Sequence, residues 1–296
     1  MVKALQVILV ICFFAILFDY LMNVRKNHKG ELKGVPGKKW AWAFGIGIFA
    51  NLLDTLGIGS FATSTFLYKA SKSCPDELLP GTLNVGDTFP VIVEALVFTT
   101  AVDCDGLTLI LMCVAAMIGS YLMAGIVCKW DVNKIRYVMG AAMLCVAVVM
   151  ACKNAGVGPF GLIGTATGLR GYKLVIAVVV NFILGALMDV GFGLYAPCMA
   201  LLLMLGCDAT VTFPIFMSSC ALLMPACSIK FIKESKYDVV CVLGNLIGGI
   251  IGVILACTVV TSLPIHALIW VVCCVLVYTS IMMFRDASKS KAAVAQ

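Results

Sequence analysis

The sequence has little charge and almost no histidine. Charged residues make up 12% of the 296 residues, and the only histidines are His28 and His266. Soluble domains carry about 25% charged residues, so this composition excludes a soluble globular fold. The 15 cysteines contain no Cys-x-x-Cys pair, and most lie in apolar runs. Because zinc and iron–sulfur sites need clustered Cys and His ligands, we expect no metal and no other cofactor.

Motifs of catalysis are also missing. The chain has no Walker motif, no HExxH helix and no Ser, His and Asp set of the hydrolase type. Its net charge of +6 is explained by basic loops that orient membrane helices, without a nucleic-acid partner. The sequence therefore predicts neither an enzyme nor a nucleic-acid-binding protein.

Long apolar runs dominate what is present. Hydrophobic residues make up 62% of the chain, and the mean hydropathy is +1.08. A spanning helix needs about 20 apolar residues. Such runs occupy residues 4–22, 41–68, 80–101, 106–128, 137–152, 174–205, 211–229, 239–262 and 264–284. The sequence thus predicts an all-α, polytopic integral membrane protein that lies in a lipid bilayer.

The two longest interrupted runs, 41–68 and 174–205, carry the same pattern. In each, an aspartate precedes a glycine pair and a proline follows at one constant offset. The matched residues are Gly57 and Gly191, Gly59 and Gly193, and Pro80 and Pro214. Repeats of this kind underlie many transporter folds. We therefore expect two homologous halves of four elements, each opening with a broken or re-entrant helix.

Domain boundaries follow from this repeat. An extra N-terminal helix and its basic loop cover 1–40, and the first repeat covers 41–152. A connecting loop at 153–173 leads into the second repeat at 174–284. The tail at 285–296 has little to bury and is predicted to be disordered.

Charge in the loops bears on how the two halves are oriented. If each interrupted run is a hairpin that returns to its own side, most Lys and Arg residues fall on the cytoplasmic side, as the positive-inside rule requires. The acidic loop with Asp103 and Asp105 then lies outside. This favours inverted halves and a cytoplasmic C-terminus. Interrupted runs that span the membrane also obey the rule, so both topologies stay open.

The interruptions are candidate binding sites. A helix broken at membrane depth is tolerated only against protein or a water-filled cavity. A half-helix that begins there presents N–H groups and a positive dipole end to an anion. The candidate substrate-binding residues are Gly57, Ile58, Gly59, Ser60, Thr63, Thr82, Asn84, Gly191, Phe192, Gly193, Tyr195, Ser218 and Ser219. The alternative is that the glycines serve only close helix packing.

Four acids lie in apolar surroundings: Asp54, Asp87, Glu94 and Asp189. A carboxylate at bilayer depth costs at least about 2.5 kcal/mol, so such residues usually face the bundle interior. Asp87 and Glu94 are two helical turns apart and share a face. No Lys or Arg lies inside an apolar run to pair with these acids. Asp54, Asp87 and Asp189 are the candidates for proton coupling, and bracing of the broken helices is the alternative role.

The paired breaks resemble those of the TauE/SafE family of sulfite-exporter-like permeases, whose two halves each open with a glycine-rich break. The resemblance covers residues 41–284. The matching segments are Gly57-Ile58-Gly59-Ser60, Gly191-Phe192-Gly193 with Pro197, the loop Leu205-Gly206-Cys207, and Gly81-Thr82. The chain departs from the family pattern in lacking further glycines in both breaks. It also has Met217-Ser218-Ser219 where Gly-Thr-Ser is expected, and the added helix 4–22.

This resemblance implies a secondary permease for a small anion, such as sulfite, a sulfonate or another organic acid, in the bacterial inner membrane. Its partners would be the anionic substrate and the bilayer, and self-association into a homo-oligomer stays open. Two other classes remain. One is a cation-coupled carrier or channel with Asp54 and Asp189 as ion sites, and the other is a membrane scaffold that transports nothing.

Overall fold

A computed structural model describes residues 2–158, 164–191, 193–258 and 265–294. This part of the chain is helical, apart from one short 3₁₀ turn, the loops and a single β-bridge between Ala166 and Cys207. The helices are α1 (Val2–Asn27), α2 (Gly37–Thr55), α3 (Ser60–Ser71), α4 (Leu79–Ala101), α5 (Gly106–Val127), α6 (Val132–Ala155), α7 (Gly171–Met188), α8 (Tyr195–Met204), α9 (Ala209–Lys233), α10 (Val239–Thr258) and α11 (Ile265–Val294).

Seven of the described helices are long and apolar enough to cross a membrane, judged by length and composition. They are α1, α4, α5, α6, α7, α9 and α10, with α4 continuing the 3₁₀ turn that precedes it. α4 and α9 are the most buried of these, whereas α1 is the least buried. The prediction of an all-α, multi-pass membrane protein is therefore confirmed.

Both long interrupted runs are broken at the positions that the glycine pairs predict. Residues 56–59 separate α2 from α3, and residues 189–194 separate α7 from α8. The backbone φ is +80° at Gly57, +98° at Gly59 and +90° at Gly191. A side chain with a Cβ rarely adopts such angles, so glycine lets the chain turn here.

The first broken run returns to the end of the molecule at which it begins. Lys39, at the start of α2, forms an ion pair with Asp238 (Nζ–Oδ2 2.5 Å). The backbone N–H of Asp238 donates to the Thr82 hydroxyl (2.9 Å), which lies 3.4 Å from Sγ of Cys74, just beyond α3. The starts of α2 and α4 and the end of α3 therefore lie together. We call this the Lys39 end.

The second broken run also doubles back, but at another end. The backbone N–H of Ala166, before α7, donates to the carbonyl of Gly206, just beyond α8 (3.1 Å), and the N–H of Asp208 donates to the carbonyl of Ala166 (2.9 Å). Arg170 binds Asp105 in the α4–α5 loop (Nη2–Oδ1 2.7 Å). We call this the Asp105 end. The 23 residues of α4 run between the two ends and span roughly 35 Å.

Small residues let the broken runs pack closely on their neighbours. α10 lies along α2, and α5 lies along α7. A Cβ added to Gly248 on α10 would lie 2.3 Å from the Phe44 carbonyl oxygen on α2, and one added to Gly185 on α7 would lie 2.3 Å from that of Ala116 on α5. Because lipid gives no hydrophobic drive for helix association, such close van der Waals packing stabilises the bundle.

The tail that the sequence predicts to be disordered is described as helix over residues 285–294, where α11 continues to Val294. Asp286 forms an ion pair with Lys69 near the end of α3 (2.7 Å). The tail is also rich in Ala, Lys and Ser without Gly or Pro, so extending the helix through it costs little free energy. α6 likewise extends into the predicted connecting loop, as far as Ala155.

Candidate functional site

A small cavity lies between the two breaks. Its volume is about 30 Å³, which leaves room for a water molecule. The first break and the start of α3 contribute Asp54, Ile58, Gly59, Ser60, Phe61 and Ala62. The second break, α8 and the neighbouring helices contribute Gly193, Leu194, Tyr195, Ala196, Met188, Val146, Met150 and Met224. The structure thus brings residues of both predicted breaks into one site.

The two helices that begin at the cavity are capped differently. The carboxylate of Asp54 accepts a hydrogen bond from the backbone N–H of Ser60, the first residue of α3 (2.6 Å). No described side chain caps α8 in this way. Tyr195 and Ala196, in the first turn of α8, line the cavity. The positive dipole end of α8 therefore lies at the cavity without a carboxylate of its own.

Tyr195 joins the second half of the chain to two buried acids of the first half. Its hydroxyl lies 2.9 Å from Oε2 of Glu94 on α4 and 3.4 Å from Oδ2 of Asp54 on α2. Its ring packs against Phe216 of α9, with the ring centroids 4.7 Å apart. All three polar side chains are buried. The hydroxyl is thus fixed between two carboxyl groups that come from different helices.

Asp87 is held by amides and a hydroxyl rather than by a base. Asn245 of α10 donates to Oδ1 of Asp87 (2.5 Å), and Asn51 of α2 lies 3.4 Å from the same oxygen. The Ser60 hydroxyl donates to Oδ2 (3.2 Å). Ser60 therefore bonds Asp54 through its backbone and Asp87 through its side chain, which ties the start of α3 to both acids.

Glu94 and Asp87 face α2 together, as their spacing on α4 predicts. The Thr55 hydroxyl lies 2.7 Å from Oε1 of Glu94 and 2.9 Å from the carbonyl oxygen of Asn51. Since a hydroxyl carries one proton and a carbonyl can only accept, a protonated Glu94 satisfies both contacts at once. In that arrangement Glu94 donates to Thr55, and Thr55 donates to the carbonyl.

A lysine reaches the first break, although no Lys or Arg lies inside a predicted apolar run. Lys153, near the end of α6, donates to the carbonyl oxygen of Gly57 (3.0 Å). The apolar run was expected to end at residue 152, but α6 continues past it and carries Lys153 along. Met150, one turn earlier on α6, lines the cavity. Lys153 therefore supplies a positive charge beside the cavity on its Asp105-end side.

Asp189 lies apart from the other acids. Its Oδ1 accepts a hydrogen bond from Ser120 of α5 (2.8 Å), and it is not among the residues that line the cavity. The structure therefore brings together Asp54 and Asp87 of the proton-coupling candidates, and leaves Asp189 against α5.

Several predicted substrate-binding residues lie away from the cavity. Thr82 is at the Lys39 end, and Asn84 donates to the carbonyl of Pro80 (2.8 Å) and accepts from Cys227. Ser219 accepts from Asn181 of α7 (3.1 Å), and Ser218 is buried beside it on α9. The repeat in the sequence did not reveal this, because it matches positions along the chain and does not show which of them face the cavity.

The remaining predicted residues flank the breaks. Gly57 carries the carbonyl that binds Lys153, and Thr63 donates to the Gly59 carbonyl (3.4 Å) within the first turn of α3. At the position of Gly191, an added Cβ would lie 3.3 Å from Cε of Met139. Phe192 lies outside the described residues.

Four polar residues at the site were not singled out in the sequence. Asn51 and Asn245 are amides in otherwise apolar helices, and Asn51 lies one turn before Asp54, a spacing that places both on one face of α2. Thr55 and Lys153 gave no signal of their own. Their contacts join residues far apart in the sequence, and no local pattern encodes such pairs.

Outside the membrane-spanning segments, Asp105 is the most strongly perturbed acid. Hydrogen bonds from the Arg170 guanidinium hold the pKa of this carboxyl well below its usual range, and the backbone N–H and hydroxyl of Thr108 add to the effect. Asp105 also begins α5 as its N-terminal cap. This pair fastens the loop before α7 to the loop before α5.

No protein-family model, no curated protein and no solved structure matches this chain. The resemblance to the TauE/SafE family therefore stays a prediction that depends on motifs in the sequence. The interpretation of the site depends on its own geometry.

Proposed function

We propose that this protein is a secondary transporter for a small anion, such as sulfite, a sulfonate or another organic acid, and that the anion moves together with a proton. The observation that carries the proposal is the cavity shared by the two breaks, one from each half of the chain. Substrate sites of many transporters lie between broken helices of two repeats.

Two features beside the cavity favour an anion as cargo. The first is the uncapped start of α8, whose dipole end and N–H groups suit a negative charge. The second is the ammonium group of Lys153, which is held at the first break by the Gly57 carbonyl. Together they place positive charge beside the cavity.

The carboxyl groups supply the reason for proton coupling. Asp54 lines the same cavity, so an ionised Asp54 would repel an anion bound at the start of α8. A proton on Asp54 removes that repulsion. Anion binding and proton binding therefore favour each other, which is the thermodynamic requirement for moving the two together.

We further propose that the halves are inverted copies and that the Lys39 end faces the cytoplasm of a bacterial cell. The two broken runs double back at opposite ends of α4, which supports inversion. The Lys39 end carries the ion pairs of Lys39, Lys69 and Arg136, and α11 reaches it through Asp286. Basic residues at this end favour a cytoplasmic side, and the C-terminus with it.

The cation-coupled alternative is weaker at this site. Asp54 and Asp87 accept hydrogen bonds from Ser60, Asn51 and Asn245, so protein donors already occupy lone pairs that a cation would need. Asp189, the second acid of that hypothesis, contacts Ser120 instead of the cavity. A non-transporting scaffold has no need of a cavity that holds Asp54, Ser60 and Tyr195 between its helix breaks.

The test is uptake of radiolabelled sulfite by proteoliposomes with an inward pH gradient. Gly193 lines the cavity, and an added Cβ there meets no atom within 4 Å. Gly193→Val therefore places its Cβ in open space at the cavity, and we expect it to reduce uptake about tenfold, as lost contacts of about 1.4 kcal/mol would.

Gly45→Val is the matched control, because Gly45 lies on α2 and also has open space around an added Cβ. We expect its uptake to stay close to that of the wild type. If wild-type vesicles take up sulfite, taurine and acetate no faster than empty liposomes, the proposed function is contradicted. Equal uptake by the Gly193→Val variant and the wild type would remove the cavity as the cargo site.

A further inference from the structure

We propose that Tyr195 relays a proton between Asp54 and Glu94, so that the second half of the chain completes a proton path whose carboxyl groups all belong to the first half. The inference rests on the proposed proton coupling and deepens it. It assigns the coupling to one hydroxyl group of α8.

The positions of the oxygen atoms suit a shared proton. The Tyr195 oxygen contacts one carboxyl oxygen of Glu94 at 2.9 Å and one of Asp54 at 3.4 Å. A phenol has a single proton to donate, so it can donate to only one of these carboxyl groups. The other contact is a hydrogen bond only if that carboxyl group carries a proton and donates to the tyrosine oxygen.

This arrangement permits a concerted transfer in which every atom is accounted for. When Asp54 is protonated and Glu94 is ionised, the proton on Asp54 passes to the Tyr195 oxygen as the phenolic proton passes to Glu94, which becomes the protonated form. Two O–H bonds break and two form, the charge moves from Glu94 to Asp54, and the tyrosine is restored. The reverse transfer uses the same atoms, so the direction is set by the proton concentrations at the two ends.

The path extends on both sides of Tyr195. Ser60 connects Asp54 with Asp87, since its hydroxyl donates to Asp87 and also neighbours Asp54. Asp87 and Glu94 are two turns apart on α4, a distance of roughly 10 Å along the helix axis. Tyr195 is the member of this chain of contacts that comes from the second half. A movement of one half against the other would therefore interrupt the path at Tyr195.

Other titratable groups around Tyr195 do not offer a competing route. Cys220 of α9 lies near its hydroxyl, and Asp87 lies near the two acids. Lys153 of α6 contacts the backbone at Gly57 and leaves the carboxyl groups to their hydroxyl and amide partners. The aromatic ring of Phe216 fixes the orientation of the tyrosine ring.

The experiment separates proton coupling from cargo binding in reconstituted protein. Radiolabelled sulfite exchange at equal pH measures cargo movement without a proton gradient, and sulfite accumulation under a pH gradient measures coupling. Tyr195→Phe keeps the ring and removes only the hydroxyl. Because Tyr195 also lines the cavity, the readout is the ratio of accumulation to exchange, and we expect that ratio to fall about tenfold or more, in the range of lost proton-transfer catalysis.

Tyr68→Phe is the matched control, because Tyr68 is also buried but its hydroxyl donates to the Cys241 carbonyl near the Lys39 end (3.4 Å). It should leave both readouts unchanged. Undiminished accumulation in Tyr195→Phe would overturn the inference. A parallel loss of exchange and accumulation would also overturn it, because Tyr195 would then serve cargo binding. Wild-type protein that neither exchanges nor accumulates sulfite contradicts the proposed function itself.

Discussion

At the scale of single residues, the surroundings of each acid decide its chemistry. Asp105 lies in a loop and meets a guanidinium group, so its ionised form is stabilised. Asp54 and Glu94 are buried and meet only hydroxyl and backbone donors. The sequence could predict that these acids matter, because a carboxylate in an apolar run is costly. It could not predict Lys153 or Asn245 as neighbours, since those contacts join distant helices.

The Asp105–Arg170 pair makes stability depend on pH in a defined direction. The pKa of Asp105 is lowered in the folded state, so its contribution to the free energy of unfolding is present above the unfolded pKa of about 3.9 and is lost as the pH falls below it. We expect Asp105→Asn to lower the melting temperature in detergent at pH 7. The difference from the wild type should shrink at pH 3.

Thr108→Val is a useful comparison, because it removes one hydroxyl donor to Asp105 and leaves the arginine in place. It should retain most of the pH dependence. A constant difference between Asp105→Asn and the wild type from pH 7 to pH 3 would show that the ionised pair does not stabilise the fold.

At the scale of helices, glycine has two separate tasks that look alike in the sequence. In the breaks it permits a positive φ, as at Gly57 and Gly191. On α2 and α10 it permits close approach of two backbones, as at Gly47 and Gly248. The first task was predicted from repetition of the glycine pairs. Close helix packing was only the alternative role considered for the glycines of the breaks, and the structure assigns that role to other glycines.

Gly47→Ala tests the close approach of α2 and α10. An added Cβ at Gly47 would lie 2.8 Å from Cα of Asn245 and 2.9 Å from the carbonyl oxygen of Gly244. The helices must separate, and overpacking of this kind costs typically about 1–3 kcal/mol. We expect a lower melting temperature in detergent.

Gly45→Ala, on the same helix with open space around the added methyl group, is the control. It should melt at or slightly above the wild-type temperature, because alanine favours the helix. Equal melting temperatures for the two variants would mean that α2 and α10 are not packed as closely as described.

At the scale of the whole molecule, the two broken runs enter from opposite ends. The prediction that each run is a hairpin came from the distribution of basic loops, and the ion pair of Lys39 with Asp238 and the pairing of Ala166 with Gly206 now support it. The order of elements in each half could be read from the sequence, because repeats and apolar runs are local patterns. The depth at which the breaks meet could not be read from the sequence, because packing between the halves sets that depth.

Opposite ends of the molecule should be accessible from opposite sides of the membrane. Glu77, in the 3₁₀ turn before α4, is exposed at the Lys39 end, and Val157, after α6, is exposed on the far side. We expect a membrane-impermeant maleimide to label Glu77→Cys in inside-out vesicles and Val157→Cys in right-side-out vesicles. Wild-type protein, with its 15 cysteines, gives the background. Labelling of both variants from one side would contradict the two-ended arrangement.

Because the two hairpins meet in the interior, the membrane voltage acts on any net charge that is carried between them. The potential drops across the protein between the two aqueous faces, and each elementary charge moved through it is worth about 2.3 kcal/mol per 100 mV. A monovalent anion that travels with one proton on Asp54 carries no net charge through this drop. Such transport would be driven by concentration and pH and would be indifferent to voltage, whereas a divalent anion with one proton would be pulled by it.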